Sequence, residues 1–189
     1  MQKISKFIYH RLFGWKVTGF KNFDSVKKAV LIAAPHTSWH DFYIGVFLRS
    51  SLKLEAHFVG KNVLFNPLTG WFFRALGGSP VRRNANEKQV DAIARLFDDK
   101  DLFRMLLAPE GTRKKVETWR TGFYYIAKTA KVPIVMLSFD FENKVNRFSE
   151  PFYPTDNIEE DFKFMRGFFE GIKGKIPERS EERRVGKEC

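Results

Sequence analysis

"AVLIAAPHTSWHDFYIGVFLRS", residues 29 to 50, changes its pattern halfway. Ala29 to Ala34 is an unbroken apolar run stopped by Pro35. Such a run is too short for a helix that stands alone and suits a strand buried on both faces. The following "TSWHDFYIGVFLRS" reads as a helix, with Thr37 or Ser38 at its cap and Asp41 in its first turn. A buried strand thus runs through a short polar loop, which holds His36, into a helix.

Working outward, the alternation continues to residue 140. Residues 54 to 61 read as a strand, and "NPLTGWFFRALGG" as a short helix bounded by Pro67 and the Gly77-Gly78 pair. "SPVRR" is a short extended piece, since Ser79 precedes a proline. "NEKQVDAIARLFDD" is an amphipathic helix with Val90, Ile93, Leu96 and Phe97 on one side. "DLFRMLLAPEGTR" is an apolar strand ending in a polar turn, "TGFYYIAKTAK" a helix, and "VPIVMLSFD" another buried strand. Alternating strands and helices predict an α/β fold: a single domain with a largely parallel central sheet flanked by helices. Phe162, Met165, Phe169 and Ile172 predict one more helix packed on that sheet. No internal repeat or low-complexity segment interrupts the chain.

The ends differ from the middle. "MQKISKFIYHRLFGW" carries Ile4, Phe7, Ile8 and Leu12 at helical spacing among Lys3, Lys6 and Arg11. A basic amphipathic helix of this kind lies either in a membrane interface or on the protein's own core. The last eleven residues, "RSEERRVGKEC", resemble a translated sequencing adapter and are expected to be non-native. The expected organisation is an N-terminal helix over residues 1–16, a domain over 17–178 that is truncated at its C-terminal end, and a foreign tail over 179–189.

Composition narrows the partners. The formal net charge is +11, and +10 without the tail, which holds four basic and three acidic residues. That allows nucleic acid, an anionic membrane or phosphorylated substrates. Nucleic acid is disfavoured, because the aromatics sit inside apolar runs rather than between lysines as stacking platforms. Cys189 is the one cysteine, which excludes an internal disulfide and a multi-cysteine metal site. No run of 18 apolar residues marks an ordinary transmembrane helix, and the N-terminus lacks a signal-peptide core.

Two segments carry chemistry. His36 and Asp41, five residues apart across a loop-to-helix junction, can converge. An aspartate that accepts from one imidazole nitrogen fixes the tautomer and frees the other nitrogen to take a proton. No GxSxG elbow supplies a nucleophilic serine, so the hydroxyl acted on belongs to the substrate. The plainer alternative is a first-turn acid beside an ordinary loop histidine. His40 suggests a metal, but Pro35 and the expected cap put His36 before the helix, no HExxH glutamate follows, and His10 and His57 are the only other histidines. No metal is expected.

The second segment is "APEGTRKK", residues 108 to 115. Gly111 permits a tight turn, Arg113 offers a planar fork for phosphate oxygens, and Lys114 and Lys115 add positive field. It reads as an anion site, or else as a solvated basic loop. "GGSPVRR" adds Arg82 and Arg83, of which one faces a common site if the strand alternates.

Taken together, these pieces resemble the glycerolipid acyltransferase family, which includes the 1-acylglycerol-3-phosphate acyltransferases. The family's His-x4-Asp motif is met by "HTSWHD", its arginine-ended glycine segment by "GGSPVRR", its third motif by "PEGTR" and its apolar proline stretch by "KVPIVML" around Pro133. The histidine and Glu110 are 110 − 36 = 74 residues apart, as the family's order requires. The resemblance covers roughly residues 17 to 150. Departures are Pro35 in place of a frequent asparagine, the extra His40, and a short chain without the hydrophobic N-terminal segment of many members.

The resemblance implies acyl transfer without a cofactor, with acyl-CoA or acyl carrier protein as co-substrate and a lysophospholipid, by default 1-acylglycerol 3-phosphate, as acceptor. His36 is then the general base and Asp41 its orienter. Within Glu110, Gly111, Thr112 and Arg113, Arg113 holds the acceptor phosphate with Arg83 and Lys115 as helpers, Glu110 either binds the acceptor or braces Arg113, and backbone donors near Gly111 or in another loop serve the oxyanion. The site implied is the cytoplasmic face of a membrane, with peripheral attachment to its anionic surface. Trp71, Phe72 and Phe73 either line an acyl groove or, as expected for such residues, belong to the core.

Overall fold

In the computed structural model, residues 2–60, 62–80 and 89–180 are described. Among the described residues seven strands are formed: β1 (Lys16–Gly19), β2 (Lys28–Ala34), β3 (His57–Gly60), β4 (Gly78–Pro80), β5 (Phe103–Leu107), β6 (Ile134–Asp140) and β7 (Val145–Phe148). They make one sheet in the order β1-β7-β6-β2-β5-β3-β4. Strands β2 to β6 are all parallel, while β7 runs antiparallel to β6 and β1 pairs in parallel with β7. The helices are α1 (Gln2–Phe7), α2 (His40–Leu52), α3 (Gly70–Ala75), α4 (Gln89–Asp98), α5 (Gly122–Thr129) and α6 (Ile158–Phe169). The single α/β domain with a largely parallel sheet is as expected.

The opening stretch sits at the centre. Side chains alternate along a strand, and β2 divides its residues accordingly. Val30, Ile32 and Ala34 join a core under α4, α5 and α6, with Phe97, Phe123 and Met165. Ala29, Leu31 and Ala33 join a second core under α2, with Ile44, Leu48 and Tyr9. A strand covered on both faces needs apolar side chains in both directions, which explains the unbroken run.

This topology also places the site. The chain leaves β2 for α2 on one face and leaves its neighbour β5 for α5 on the other. Adjacent parallel strands whose connections diverge open a crevice at their carboxyl ends. Ile32 is in register with Leu107, the last residue of β5, and with Met136 of β6, so the loops after β2 and β5 start within two residues of each other.

At the opposite end of the sheet, Arg104 is 3% exposed. Its guanidinium donates to the carbonyls of Val26 at 2.8 Å, Glu55 at 3.2 Å and Phe23 at 2.6 Å. Burial holds its pKa below the usual arginine value. It ties the lead-ins to β2 and β3 onto β5.

Several expectations need correction. Helix α2 begins at His40, with Trp39 rather than Thr37 or Ser38 at the cap position. Leu96 of α4 points outward, 39% exposed, and Ala94 takes the buried place beside Phe97. Ile172 falls beyond the end of α6, although Phe162, Met165 and Phe169 are buried as expected. Trp71 and Phe72 are exposed at 68% and 45% rather than core, while Phe73 packs against Phe42, Phe58 and Phe65. Strands β1 and β7 are additions to the expected set.

The N-terminal segment is α1 followed by a π-helical turn, Ile8–Leu12. It docks through its polar members. Ser5 Oγ meets Ser50 Oγ of α2 at 2.7 Å, and the buried Tyr9 donates its hydroxyl to Asn146 Oδ1 at 2.6 Å. Ile4, Phe7 and Leu12 of the apolar stripe face outward, each more than 60% exposed. No helix among the described residues is long and apolar enough to cross a membrane.

Candidate active site

His36 follows the end of β2 by two residues, after the cis Ala34–Pro35 peptide. Its imidazole is about a quarter exposed. Nδ1 lies 3.0 Å from Asp41 Oδ2. The carboxylate has no proton to give, so Nδ1 carries the hydrogen and Nε2 the lone pair. His36 and Asp41 converge as the sequence spacing allows.

Asp41 is more than a first-turn acid. It is 3% exposed, and Oδ2 also accepts the backbone N–H groups of Thr37 and Ser38, each at 2.9 Å. The carboxylate folds the loop around itself and then orients the ring. Nothing in the side-chain pattern announces this, because the donors are main-chain groups.

The second loop leaves β5 at Leu107. Glu110 Oε1 accepts the backbone N–H of His36 at 2.9 Å, bridging the two loops across 74 residues. Gly111 has φ +65°, a conformation that penalises a side chain. A Cβ there would also lie 2.6 Å from Nε of Arg120, whose side chain covers the turn. Arg120 was not among the expected site residues; its place eight residues beyond the motif's Thr112 gives no periodic signal. The Gly111 N–H donates to the Ala108 carbonyl at 3.0 Å and so closes the turn instead of facing an oxyanion. Thr112 Oγ1 accepts from the Lys114 N–H at 3.3 Å.

Arg113 reaches back to the histidine. Its Nε donates to His36 Nε2 at 3.3 Å. The imidazole therefore lies between a carboxylate on one nitrogen and a guanidinium on the other. Lys114 and Lys115 follow as exposed side chains of the same loop. Arg82 and Arg83 lie outside the described residues.

A C-terminal strap backs the first loop. The Ile176 N–H donates to Thr37 Oγ1 at 3.2 Å, and Gly174 packs so closely that a Cβ would lie 2.6 Å from that oxygen. Arg179 and Ser180 lie on the same strap, and residues 181–189 are outside the described ones. His40 turns elsewhere: its Nδ1 meets Ser38 Oγ at 2.8 Å, and its ring packs on Trp39 and Tyr43. The described residues contain no group of three or more His, Cys, Asp or Glu side chains able to hold a metal.

The site can take a proton at Nε2, stabilise the resulting imidazolium through Asp41, and attract an anion through Arg113. The sequence profile of the family described as Acyltransferase matches residues 14–140. Two chloroplastic 1-acyl-sn-glycerol-3-phosphate acyltransferases are similar: BAT2 of Brassica napus, 28% identical, and LPAT1 of Arabidopsis thaliana, 26% identical, each over 134 residues. The matched part is 68% of this chain but only 38% and 36% of those relatives, so this chain spans well under half their length. The crystal structure of the 1-acyl-sn-glycerophosphate (LPA) acyltransferase PlsC from Thermotoga maritima shares the fold, with TM-score 0.58, 21% identity, and 88% of this chain and 76% of that one covered. With both motif-bearing loops inside the matched span and converging on one crevice, the chain belongs to the glycerolipid acyltransferase family.

Proposed function

We propose that the protein transfers a fatty acyl group from acyl-CoA or acyl carrier protein to the hydroxyl of a lysophospholipid, with 1-acylglycerol 3-phosphate as the first acceptor to test. The observation that carries this reading is the His36 imidazole held between Asp41 Oδ2 at 3.0 Å and Arg113 Nε at 3.3 Å. A base and an anion anchor that close suit an acceptor carrying a hydroxyl near a phosphate. The names of the two plant relatives and of the Thermotoga protein support the same acceptor.

In this mechanism the acceptor hydroxyl gives its proton to His36 Nε2 as its oxygen attacks the thioester carbonyl. Asp41 offsets the positive charge that forms on the ring. The tetrahedral intermediate collapses by breaking the carbon–sulfur bond, and the imidazolium returns its proton to the departing thiolate. The products are an ester and a free thiol, and the enzyme is regenerated. Arg113 binds the acceptor phosphate; Glu110 braces the histidine backbone; Lys115 and Arg83 add positive field. All chemistry is carried by side chains and substrates, with no cofactor.

The outward stripe of Ile4, Phe7 and Leu12 beside Lys3, Lys6 and Arg11 supports peripheral binding to an anionic leaflet, at the cytoplasmic face. Both substrates and product are partly lipid, so a docked enzyme meets them where they partition.

The test is a panel of hydroxyl and amine acceptors with labelled acyl-CoA and acyl carrier protein. Ester formation on lysophosphatidate supports the proposal. Fatty acid release without an acceptor would identify a thioester hydrolase. Lipid binding without turnover would identify a binding module.

A further inference from the structure

We propose that Arg113 is a specificity switch: it masks the lone pair of His36 Nε2, and an acceptor's phosphate uncovers that nitrogen by drawing the guanidinium away. This deepens the acyltransferase reading and rests on it.

Because Nδ1 keeps its hydrogen and donates it as a hydrogen bond to Asp41, Nε2 has the only ring lone pair in the plane. Arg113 Nε–H occupies that lone pair. A nitrogen that already accepts one hydrogen bond is not available to take a proton from an alcohol. The reactive groups are assembled, yet the base is covered.

The covering is local and reversible. The turn that carries Arg113 is pinned by the Gly111 N–H on Ala108, the Arg120 N–H on Pro109, the Lys114 N–H on Thr112 and the Glu110 carboxylate on the His36 N–H. The Arg113 side chain itself is exposed. Uncovering the base therefore needs rotation of one solvent-facing side chain while the loop stays in place. A phosphate dianion is a better guanidinium partner than a neutral imidazole, since it accepts two parallel charge-assisted hydrogen bonds. A phosphate seated beside the ring also brings its glycerol hydroxyl within the short reach of Nε2.

The consequence is selectivity beyond affinity. A neutral acceptor, or water, meets a masked base even when the thioester is bound. A phosphorylated acceptor opens the base by its own binding, as a ligand that favours one of two states must.

The experiment measures thiol release from acyl-CoA by wild type, Arg113→Ala and Arg113→Lys. The acceptors are lysophosphatidate, neutral 1-acylglycerol and none. For Arg113→Ala, kcat/KM with lysophosphatidate falls about tenfold or more, while turnover with 1-acylglycerol rises above wild type by about tenfold. Arg113→Lys keeps a cation but lacks the planar Nε–H, and should also exceed wild type with 1-acylglycerol. Millimolar phosphite should stimulate 1-acylglycerol turnover by wild type and leave Arg113→Ala unchanged. A folded Arg113→Ala protein with 1-acylglycerol turnover at or below wild type overturns the switch, leaving Arg113 as a phosphate binder only. If both variants misfold, the phosphite response of wild type decides. Wild type that transfers nothing to lysophosphatidate overturns the acceptor assignment and the switch together.

Discussion

His36 Nδ1 and Asp41 Oδ2 are 3.0 Å apart, and that same oxygen also holds the N–H groups of Thr37 and Ser38. Loop folding and ring orientation thus depend on one atom. Asp41→Asn keeps an oxygen for the amides but loses the charge that stabilises imidazolium. Its kcat should fall by about 10²- to 10⁴-fold with little change in KM. His36→Ala should lose at least as much while remaining folded. Asp41→Ala should in addition lose about 1 to 3 kcal/mol of stability, because two buried N–H groups are left without their acceptor. Thiol release and thermal unfolding, measured on each variant, separate these effects; substantial turnover by folded His36→Ala would remove the histidine from the mechanism.

Glu110 acts through the histidine's main chain. Its Oε1 accepts the His36 N–H at 2.9 Å and joins the β2 and β5 loops. Glu110→Ala should cost about 1 to 3 kcal/mol of stability and lower kcat more than it raises acceptor KM. Glu110→Gln keeps an acceptor oxygen and should recover most of kcat. Steady-state kinetics over a range of lysophosphatidate concentrations check this. A loss confined to KM would instead make Glu110 a direct acceptor contact.

How much of this was legible in the sequence differs from element to element. β2, β5 and β6 carry buried or half-buried apolar residues on both faces, interrupted by Arg104 in β5 and by Ser138 and Asp140 in β6, so their runs declare themselves without any partner in view. β1 and β7, "KVTG" and "VNRF", are four residues each; β7 forms by folding back antiparallel on β6, and β1 by pairing with β7. Gly19 lets that pairing close: a Cβ there would lie 1.9 Å from the Phe148 carbonyl oxygen. Helical spacing revealed the stripe of Ile4, Phe7 and Leu12 but not its direction, which is set by the hydroxyls of Ser5 and Tyr9. His36 and Asp41 were readable because their separation is local. The contact of Arg113 with that histidine was not, because it depends on β2 and β5 being neighbours in register.

Arg104 offers a contrast between stability and catalysis. It lies at the end of the sheet away from His36 and satisfies three carbonyls. Arg104→Met preserves much of the apolar stem but leaves those carbonyls unpaired. The expected loss is about 2 to 4 kcal/mol, seen as a lower Tm or denaturant midpoint. Below the new Tm, kcat should match wild type within about twofold, since nothing at the crevice changes. A large fall in kcat with an unchanged Tm would contradict this division of roles.

The outward face of the N-terminal segment gives a test of membrane docking that leaves the fold alone. Ile4, Phe7 and Leu12 are 64%, 64% and 69% exposed, whereas Ser5 and Tyr9 make the contacts to α2 and β7. Replacing the three outward residues together by serine removes apolar surface that only a bilayer would bury. Each such side chain contributes about 1.5 to 3 kcal/mol when fully buried. Partial insertion of three should therefore carry at least about 3 kcal/mol, or a hundredfold in partitioning. The triple variant should keep the wild-type Tm and lose about that factor in binding to vesicles of mixed phosphatidylglycerol and phosphatidylcholine. Lys3→Glu with Lys6→Glu should weaken binding less, and mainly at low salt, because screening already reduces that contribution at physiological ionic strength. Vesicle sedimentation across a salt series reads both effects, and unchanged binding by the triple variant would place the docking surface elsewhere on the protein.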